Sequence, residues 1–329
     1  MLTAVTIKGL RGIREGELRD LTPLAVLVGP NGAGKSTILE AIQICASQQP
    51  AVGTEGVLLR REGDVFAIEW LFWKMGRTGS IEVRVDASEG AYRIVKVFLD
   101  SGSKIRLLVN QKSASGSGEF PVGDLSISRP GNYSVSAYGP TFSDVSDLRF
   151  VSPSLRETPP LNELFSELVR QGLRAESLSL LGKLIPGLEQ LEILTEKGKP
   201  VLYLDFPDRA VPATLAGDGI HLLLRLGFQL ATVPGGVALL EEPETHLHPG
   251  AIRQCARAIV AAVRRQVQVI LTTHSLELID SLLAELTIPA DKDLLSVYRL
   301  RLDNGILQSS RFDGADVALA RGDIVDDLR

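Results

Sequence analysis

Residues 237 to 250 read V-A-L-L-E-E-P-E-T-H-L-H-P-G, a run in which three carboxylates and two histidines follow a short apolar segment. Two kinds of chemistry fit such a run. One is a metal site made from Glu244, His246 and His248, because alternate residues of an extended segment share a face. The other is the acidic end of a strand at a nucleotide-hydrolysing site, where the two adjacent glutamates would be the reactive pair.

A glycine-rich run, G-P-N-G-A-G-K-S-T at residues 29 to 37, fits the phosphate-loop pattern G-x-x-x-x-G-K-[ST]. It follows the apolar segment L-A-V-L-V and precedes a segment with apolar residues at helical spacing, from Ser36 to Cys45. In this context backbone N–H groups and a helix N-terminus face phosphates. We expect Lys35 to reach the β- and γ-phosphates and the Ser36 hydroxyl to bind Mg²⁺. The residues expected to bind ATP are Asn31, Gly32, Ala33, Gly34, Lys35, Ser36 and Thr37.

The phosphate loop favours the hydrolytic interpretation of the acidic run. A P-loop ATPase needs a second strand, beside the first, that ends in a carboxylate and holds the magnesium through its water shell. The strand predicted at Val237 to Leu240 ends in Glu241, which we assign to the metal. Glu242 would then orient or deprotonate the attacking water, a contribution of about 10²- to 10⁴-fold in rate.

The transition-metal alternative is disfavoured by the surroundings of the two histidines. Pro243 and Pro249 bracket a loop, and no further cysteine or histidine cluster completes a tetrahedral site. We expect His246 and His248 to shape a loop that crosses into a partner subunit, with Pro249 starting the next helix.

A third feature is T-T-H-S at residues 272 to 275, where His274 directly follows an apolar segment. An isolated histidine is often only a satisfied polar residue. At the C-terminal end of a strand near a phosphate loop, however, His274 is well placed to meet a γ-phosphate. We assign it that role.

Elements of two kinds must position these residues. From about residue 65 to 151, short alternating segments predict an antiparallel β lobe, in which G-S-G-E at 116 to 119 is expected to be a flexible turn. Residues 159 to 186 favour helix, and the segments at 188 to 194 and 201 to 206 favour strands. Helices and strands then alternate to about residue 286, which predicts an α/β fold.

We expect a single domain in four parts. These are a P-loop part at 1–64, the antiparallel β lobe at 65–152, a helical and β insertion at 153–216, and a part at 217–329 with the remaining motifs.

Composition limits the class of protein. The hydrophobic content of 44% supports a large core, and the net charge of −5 with pI about 5.6 disfavours a global attraction to nucleic acid or membranes. Both cysteines, Cys45 and Cys255, lie in apolar helical patterns and are expected to be buried free thiols. Without a leader-like start or an apolar run near 18 residues, we expect a cytoplasmic protein with no membrane association.

Taken in order, these motifs resemble the ABC-type ATPase heads of the RecF, SMC and OLD group. The resemblance covers about residues 1 to 60 and 200 to 285. Its Glu-Glu followed by P-E-x-H-L-H-P looks most like the OLD-type ATPases, whereas SMC heads usually carry Asp-Glu. The matching runs are V-T-I-K-G-L-R-G-I, G-P-N-G-A-G-K-S-T-I-L-E-A-I, T-L-A-G-D-G-I-H-L-L-L-R-L, L-L-E-E-P-E-T-H-L-H-P and L-T-T-H-S.

The resemblance implies a P-loop NTPase fold with an antiparallel β lobe and a helical lobe that carries the signature motif. It also implies that two copies dimerise head-to-tail around two ATP molecules, with Gly217 and Gly219 touching the γ-phosphate bound by the other subunit. Ala216 stands where a serine is often found. We expect Asp218 to be the helix N-cap and to point away from phosphate. Arg11 matches an early arginine that approaches the nucleotide in related heads; a surface role is the alternative.

The lengths of the segments between and after the motifs disfavour two features of related proteins, namely coiled-coil arms and a nuclease domain. The segment between Ser36 and Val237 shows no sustained heptads, so long coiled-coil arms are not expected. Only 55 residues follow His274, fewer than the nuclease domain of full-length OLD proteins needs, so we expect no DNA cleavage by the chain itself.

The resulting hypothesis is a Mg²⁺-dependent ATPase that forms an ATP-bound homodimer and regulates a separate effector, such as a nuclease or toxin, in anti-phage defence. Three alternatives remain open. They are a RecF-like DNA-repair ATPase that binds DNA, a scaffold that binds ATP without turnover, and a transporter ATPase.

Overall fold

The computed structural model describes residues 1–60, 68–75, 79–99, 104–113, 116–129, 132–137, 147–152, 159–287 and 289–321. The boundary expected after residue 64 lies outside these ranges, the one expected after residue 152 adjoins a gap, and the last expected part extends beyond residue 321.

The strands are numbered in chain order. They are β1 (Leu2–Leu10), β2 (Ile13–Leu18), β3 (Leu24–Val28), β4 (Ser80–Ala87), β5 (Tyr92–Leu99), β6 (Lys104–Ser113), β7 (Gly116–Arg129), β8 (Asn132–Ala137), β9 (Leu148–Val151), β10 (Gln190–Glu196), β11 (Lys199–Phe206), β12 (Arg209–Pro212), β13 (Val237–Glu241), β14 (Gln268–Thr272), β15 (Leu295–Asp303) and β16 (Ile306–Asp313).

The α-helices are α1 (Lys35–Ala46), α2 (Pro50–Leu59), α3 (Leu161–Arg170), α4 (Arg174–Leu184), α5 (Asp218–Ala231), α6 (Pro249–Arg264), α7 (Leu276–Glu285) and α8 (Gly314–Leu319). None of the helices in the described ranges is both long and apolar enough to span a membrane.

The strands that carry the motifs are parallel neighbours. Within the described ranges, 13 strands form one sheet in the order β8-β7-β6-β5-β4-β1-β2-β16-β15-β3-β14-β13-β9, and β15, β3, β14, β13 and β9 pair in parallel. The carboxyl ends of parallel strands meet at one edge of a sheet, which is where ligands bind in such folds. The sheet therefore brings the ends of β3, β13 and β14 together.

The core of this region lies on both faces of the sheet. In β3, Leu24, Val26 and Val28 pack into one apolar cluster with the helices α5 to α7, while Ala25 and Leu27 pack into another with α1. All five residues are fully buried. A strand buried on both faces reads as a continuous apolar run, which is why L-A-V-L-V was recognisable in the sequence.

The antiparallel lobe continues from β1 through β4 to β8, with each strand antiparallel to the next. The predicted lobe is confirmed for these strands, but β9, at the end of the predicted span, is parallel to β13 and belongs to the motif-bearing region. The turn expected at 116 to 119 is wrong, because these residues begin β7 and Gly116 pairs with Ser113 of β6.

One expectation about strand order is wrong. The strand that ends in Glu241 was expected beside β3, but β14 lies between them, pairing with β3 on one side and β13 on the other. The sequence periodicity predicts strands and not their order. The consequence is that β14, which leads to His274, lies between the phosphate loop and the acidic pair.

The other neighbour of β3 is β15, which the sequence reading did not predict. Its residues Leu295 to Tyr298 are buried, and it forms a hairpin with β16. Both predicted free thiols are confirmed: Cys45 and Cys255 are fully buried, and burial raises the pKa of Cys45 to about 12.

Candidate nucleotide site

The phosphate loop joins β3 to α1. Three glycines in it, Gly29, Gly32 and Gly34, have φ values of +145°, +79° and +92°, in the region that only glycine adopts without strain. Gly34 is the N-cap of α1, so no side chain caps the first N–H groups of the helix, and its first turn contains no acid. These donors and the helix dipole make an anion site. The loop geometry fits a nucleotide phosphate.

Two of these glycines offer a matched test. A Cβ on Gly29 would lie 2.5 Å from the backbone oxygen of Leu300 on β15, whereas one on Gly32 would meet nothing within 4 Å. We expect Gly29→Ala to destabilise the nucleotide-free protein by about 1–3 kcal/mol beyond Gly32→Ala, because it adds a backbone clash to the shared φ strain. Urea denaturation of the two variants measures the difference. Equal losses would contradict the close approach of β15 to the loop.

Lys35, the first residue of α1, folds back over the loop. Its Nζ atom donates to the carbonyl oxygens of Gly29 at 2.7 Å and Pro30 at 3.1 Å, and the residue is 6% exposed. Burial lowers the pKa of Lys35, and the charge of Glu242 acts in the opposite direction. The ammonium is therefore held within the loop, and it lies in the electrostatic field of the acidic run.

The other predicted nucleotide ligands also lie in the loop or the first turn of α1. Asn31 and Gly32 are exposed, Ala33 is buried, and Ser36 and Thr37 are half-buried. The helix α1 packs against β13 and β14, so the helix that begins at the phosphate loop lies against the strands that lead to Glu241 and His274.

Glu241 and Glu242 point in different directions at the end of β13. Glu241 closes the strand, and its Oε2 atom accepts a hydrogen bond from the Ser152 hydroxyl at 3.2 Å. Glu242 has a φ of +44°, and its N–H donates to the backbone and side-chain oxygens of Thr272 at 3.1 and 3.2 Å. A left-handed conformation is uncommon for a residue other than glycine and recurs at functional sites. It ends the strand alternation, so the two carboxylates can serve different functions.

The predicted base and the predicted phosphate sensor meet. The Oε1 atom of Glu242 lies 3.6 Å from the Nε2 atom of His274, and both side chains are between a third and two-fifths exposed, at 39% and 37%. The strand β14 leads to His274, which therefore lies next to the β13 loop, the segment 242–248 between β13 and α6. The sequence therefore predicted two residues, 32 positions apart, that the fold brings together.

Glu244 also lies in this region, although the sequence pointed to it only as a ligand of the disfavoured transition-metal site. Its Oε1 atom accepts hydrogen bonds from the Thr273 hydroxyl at 2.5 Å and the His274 N–H at 3.3 Å. Burial raises the pKa of Glu244, while these hydrogen bonds act to lower it. No local sequence signal pointed to this contact, because Glu244 and Thr273 are 29 positions apart in sequence.

The histidines of the loop do not share a ligand set with Glu244. The Nδ1 atom of His248 accepts from the Gly250 N–H at 3.2 Å and so caps α6, whose first residue is Pro249, as predicted. His246 is exposed with a φ of +64°. Within the described ranges, no group of three or more His, Cys, Asp or Glu residues is placed to hold a metal ion.

The signature segment begins α5, with one correction. Gly217 is the N-cap, and Asp218 is the first helical residue, so the expectation that Asp218 caps the helix is wrong. The N-cap backbone, with φ −61° and ψ 152°, is one that any residue adopts, so this position does not itself require glycine. A Cβ on Gly217 would meet nothing within 4 Å, and the preceding Leu215 is 76% exposed. Gly219 lies near Leu247, in the loop that follows β13: a Cβ added to Gly219 would lie 3.6 Å from the Cδ2 atom of Leu247.

Arg11 lies in the turn between β1 and β2, with a φ of +49°. Its Nε atom is 2.5 Å from the Oε2 atom of Glu40, a carboxylate in α1 that is 1% exposed, and its Nη2 atom donates to the Val57 carbonyl at 3.4 Å. The guanidinium therefore ties the turn to α1 and α2. Its contact with nucleotide stays a prediction.

The donor set at the end of β13 also fits the predicted cation. Mg²⁺ prefers oxygen ligands and retains waters. Ser36 lies in the first turn of α1 and carries a hydroxyl oxygen, and Glu241 ends a strand against which α1 packs and carries carboxylate oxygens, so both candidate ligands are oxygens. When bound, Mg²⁺ would neutralise phosphate charge.

Two known protein families match the parts of the chain that contain these motifs. The sequence profile of the family described as "AAA domain, putative AbiEii toxin, Type IV TA system" matches residues 76–280, which is more than half of the chain and includes the acidic run and His274. The chain belongs to this AAA domain family. A second profile, described as an AAA domain, matches residues 4–119 and includes the phosphate loop.

Two curated proteins resemble this AAA domain. The OLD nuclease of Thermus scotoductus is 27% identical, over 84% of this chain and 59% of its own length. An uncharacterized protein of Methanocaldococcus jannaschii is 25% identical, over 62% of this chain and 95% of its own length. The chain thus spans about three-fifths of the OLD nuclease, 59%.

The fold is that of SMC heads. An Smc head bound to the C-winged helix domain of ScpA has a TM-score of 0.55 at 14% identity, covering 95% of this chain and 98% of that one. An Smc head with an extended coiled coil, bound to the C-terminal domain of ScpA derived from Pyrococcus furiosus, has a TM-score of 0.51 at 11% identity, covering 99% of each chain. With the OLD relative, these confirm the predicted ABC, SMC and OLD type of ATPase and its α/β fold class.

Proposed function

We propose that this AAA domain hydrolyses ATP with Mg²⁺, at a site that a second copy of the chain completes. The observation that carries the proposal is the meeting of Glu242 and His274, 3.6 Å apart, at the strand edge where the phosphate loop begins. A phosphate cradle alone would suit a nucleotide clamp. The left-handed backbone of Glu242 separates its carboxylate from that of Glu241, the proposed metal ligand, so the Glu242 carboxylate is free to act as a general base toward water.

The proposed roles divide among the residues of the chain. Lys35 and the N–H groups at the start of α1 bind the β- and γ-phosphates. Ser36 and Glu241 hold the cation and its water shell. Glu242 accepts a proton from the attacking water, and His274 donates to the γ-phosphate. Each role matches a residue type and position on the strand edge.

The second copy would supply Gly217 and Gly219. In this protomer the signature has open space around Gly217 and a largely exposed leucine, Leu215, beside it. An exposed apolar side chain beside uncapped helix N–H groups suits a surface that is covered when two ATP-bound protomers meet. The turn with His246 would lie at the same interface.

The biological role that we propose is control of a separate effector, a nuclease or toxin, in anti-phage defence. Its support is the description of the family, which names a toxin system, and the name of the Thermus relative, OLD nuclease. ATP-dependent dimerisation would be the signal passed to the effector. Cytoplasmic location is part of the same proposal, whereas direct contact with DNA belongs to the alternative of a RecF-like DNA-repair ATPase.

The wild-type protein tests the chemistry. We expect phosphate release from ATP that requires Mg²⁺ and stops when EDTA is added, together with a shift in light scattering toward twice the 35.5 kDa mass in ATP but not in ADP. Binding of ATP with no phosphate release would contradict hydrolysis and support the scaffold. Full turnover by a strict monomer would contradict the shared site.

A plaque assay tests the role. Cells that carry the gene with its neighbouring reading frames should resist phage, and resistance should disappear with Lys35→Ala. Resistance that is unchanged by this variant would show that ATP binding does not control the effector.

A further inference from the structure

Glu244 lies between the loop that carries the proposed base and the segment that carries the proposed sensor. Its backbone belongs to the β13 loop, where the Leu247 N–H donates to the Glu244 carbonyl at 2.9 Å. Its side chain reaches the residues that follow β14, where its Oε1 atom accepts hydrogen bonds from the Thr273 hydroxyl at 2.5 Å and the His274 N–H at 3.3 Å. One carboxyl group therefore joins the two segments.

The hydrogen-bond network continues beyond this carboxyl group into α7. The Thr273 hydroxyl, which donates to Glu244, also accepts from the Ser275 N–H at 2.9 Å. Ser275 is the N-cap of α7, and its own hydroxyl accepts from the Leu278 N–H at 3.1 Å. Glu244, Thr273 and Ser275 thus hold the backbone on both sides of His274.

A structural role alone does not explain a carboxyl group at this place. The Oε2 atom of Glu244 is buried and has no hydrogen-bond partner among the described residues, and burial together with the nearby Glu242 charge raises the pKa of Glu244. A buried polar atom without a partner is unfavourable, and an apolar side chain would avoid it. Such an arrangement is retained where geometry at a functional site requires it.

We propose that Glu244 is a positioning residue that sets the distance between the His274 imidazole and the Glu242 carboxylate. It acts through the backbone of His274 and the Thr273 hydroxyl and does not touch the nucleotide. This inference rests on the proposed function, because the geometry that it maintains is that of the proposed base and sensor.

Steady-state hydrolysis by Glu244→Ala, Glu244→Gln and the control Glu277→Ala tests the inference. Glu277 is exposed in the first turn of α7, three residues after His274. Since a misplacement of about 1 Å can cost about 10²-fold in rate, we expect Glu244→Ala to lower kcat by about 10- to 100-fold with little change in KM. Glu244→Gln keeps the acceptor oxygen and should restore most of kcat, and Glu277→Ala should match wild type.

A double variant shows whether Glu244 acts through His274. If it does, adding Glu244→Ala to His274→Ala should lower kcat little further, because the two residues form one unit. Independent, multiplying losses would overturn the inference. Should Glu244→Ala unfold, Thr273→Val removes the hydroxyl that donates to Glu244 and accepts from the Ser275 N–H, and it should also lower kcat.

Glu242→Gln separates failure of this inference from failure of the proposed function. If Glu242→Gln abolishes hydrolysis while Glu244→Ala turns over at the wild-type rate, the base assignment holds and the positioning role is wrong. If Glu242→Gln hydrolyses normally, the proposed function itself fails. A Glu244→Ala variant that raises KM at unchanged kcat would also contradict positioning, since it would place Glu244 in nucleotide binding.

Discussion

Replacing Glu242 with glutamine should abolish most ATP hydrolysis while leaving ATP binding intact. The amide keeps the size and hydrogen-bonding shape of the side chain at the end of β13 but cannot accept the proton of the attacking water. Loss of a general base lowers rates by about 10²- to 10⁴-fold. Because the phosphate loop is unchanged, we expect the ATP-bound dimer to accumulate, visible by light scattering, while single-turnover phosphate release becomes slow.

The matched control is Glu277→Gln, which removes the same charge from an exposed position on α7. It should hydrolyse ATP as wild type does. If Glu242→Gln and Glu277→Gln both retain the wild-type rate, then Glu242 is not the base, whatever its distance from His274.

Replacing Lys35 with alanine should weaken ATP binding. The ammonium lies within the loop on two carbonyl oxygens, and its hydrogen bonds to phosphate would be charge-assisted on both sides. Such bonds contribute about 1.5–3 kcal/mol each, so losing one weakens Kd by about 10- to 150-fold. Equilibrium titration with a fluorescent ATP analogue measures the change, and hydrolysis at low ATP should fall with it.

The control for this change is Lys8→Ala on β1. Lys8 is exposed and pairs with Glu82 at 3.1 Å, a surface ion pair of the kind that contributes little. ATP affinity should be unchanged in this variant. An equal loss of affinity in both variants would point to a general effect of charge and would contradict the assignment of Lys35 to the phosphates.

The parts of the site that could be predicted from sequence are those with a local physical signal. The phosphate loop combines glycines that need positive φ with an apolar strand before and an amphipathic helix after, so Gly29 to Ser36 could be recognised in isolation. The same holds for Glu241, Glu242 and His274, because each follows a strand buried on both faces. Local patterns predict where strands end, and parallel strands end at one edge.

The parts that could not be predicted depend on contacts between distant segments. The strand order places β14 between β3 and β13, and no periodicity encodes that choice. Asp218 has the residue type of an N-cap, yet Gly217 takes the position because the chain enters α5 one residue earlier. Glu244 reads as a loop carboxylate, and its function appears only when the fold brings it to Thr273, 29 positions away in sequence.

If ATP is hydrolysed at a site shared by two copies, two variants that are inactive alone should restore hydrolysis when they are mixed. Lys35→Ala removes the phosphate-binding ammonium from the phosphate loop. Gly217→Asp spoils the signature with a carboxylate facing the partner's phosphate, while it fits its own protomer as an N-cap with open space around it.

Each variant alone should be inactive. A mixture should recover roughly a quarter of wild-type sites, because random pairing makes half of the dimers mixed and each mixed dimer has one intact site. Recovery of phosphate release on mixing is the result expected of a shared site. A mixture as inactive as its components, or Gly217→Asp alone with wild-type hydrolysis, would contradict it.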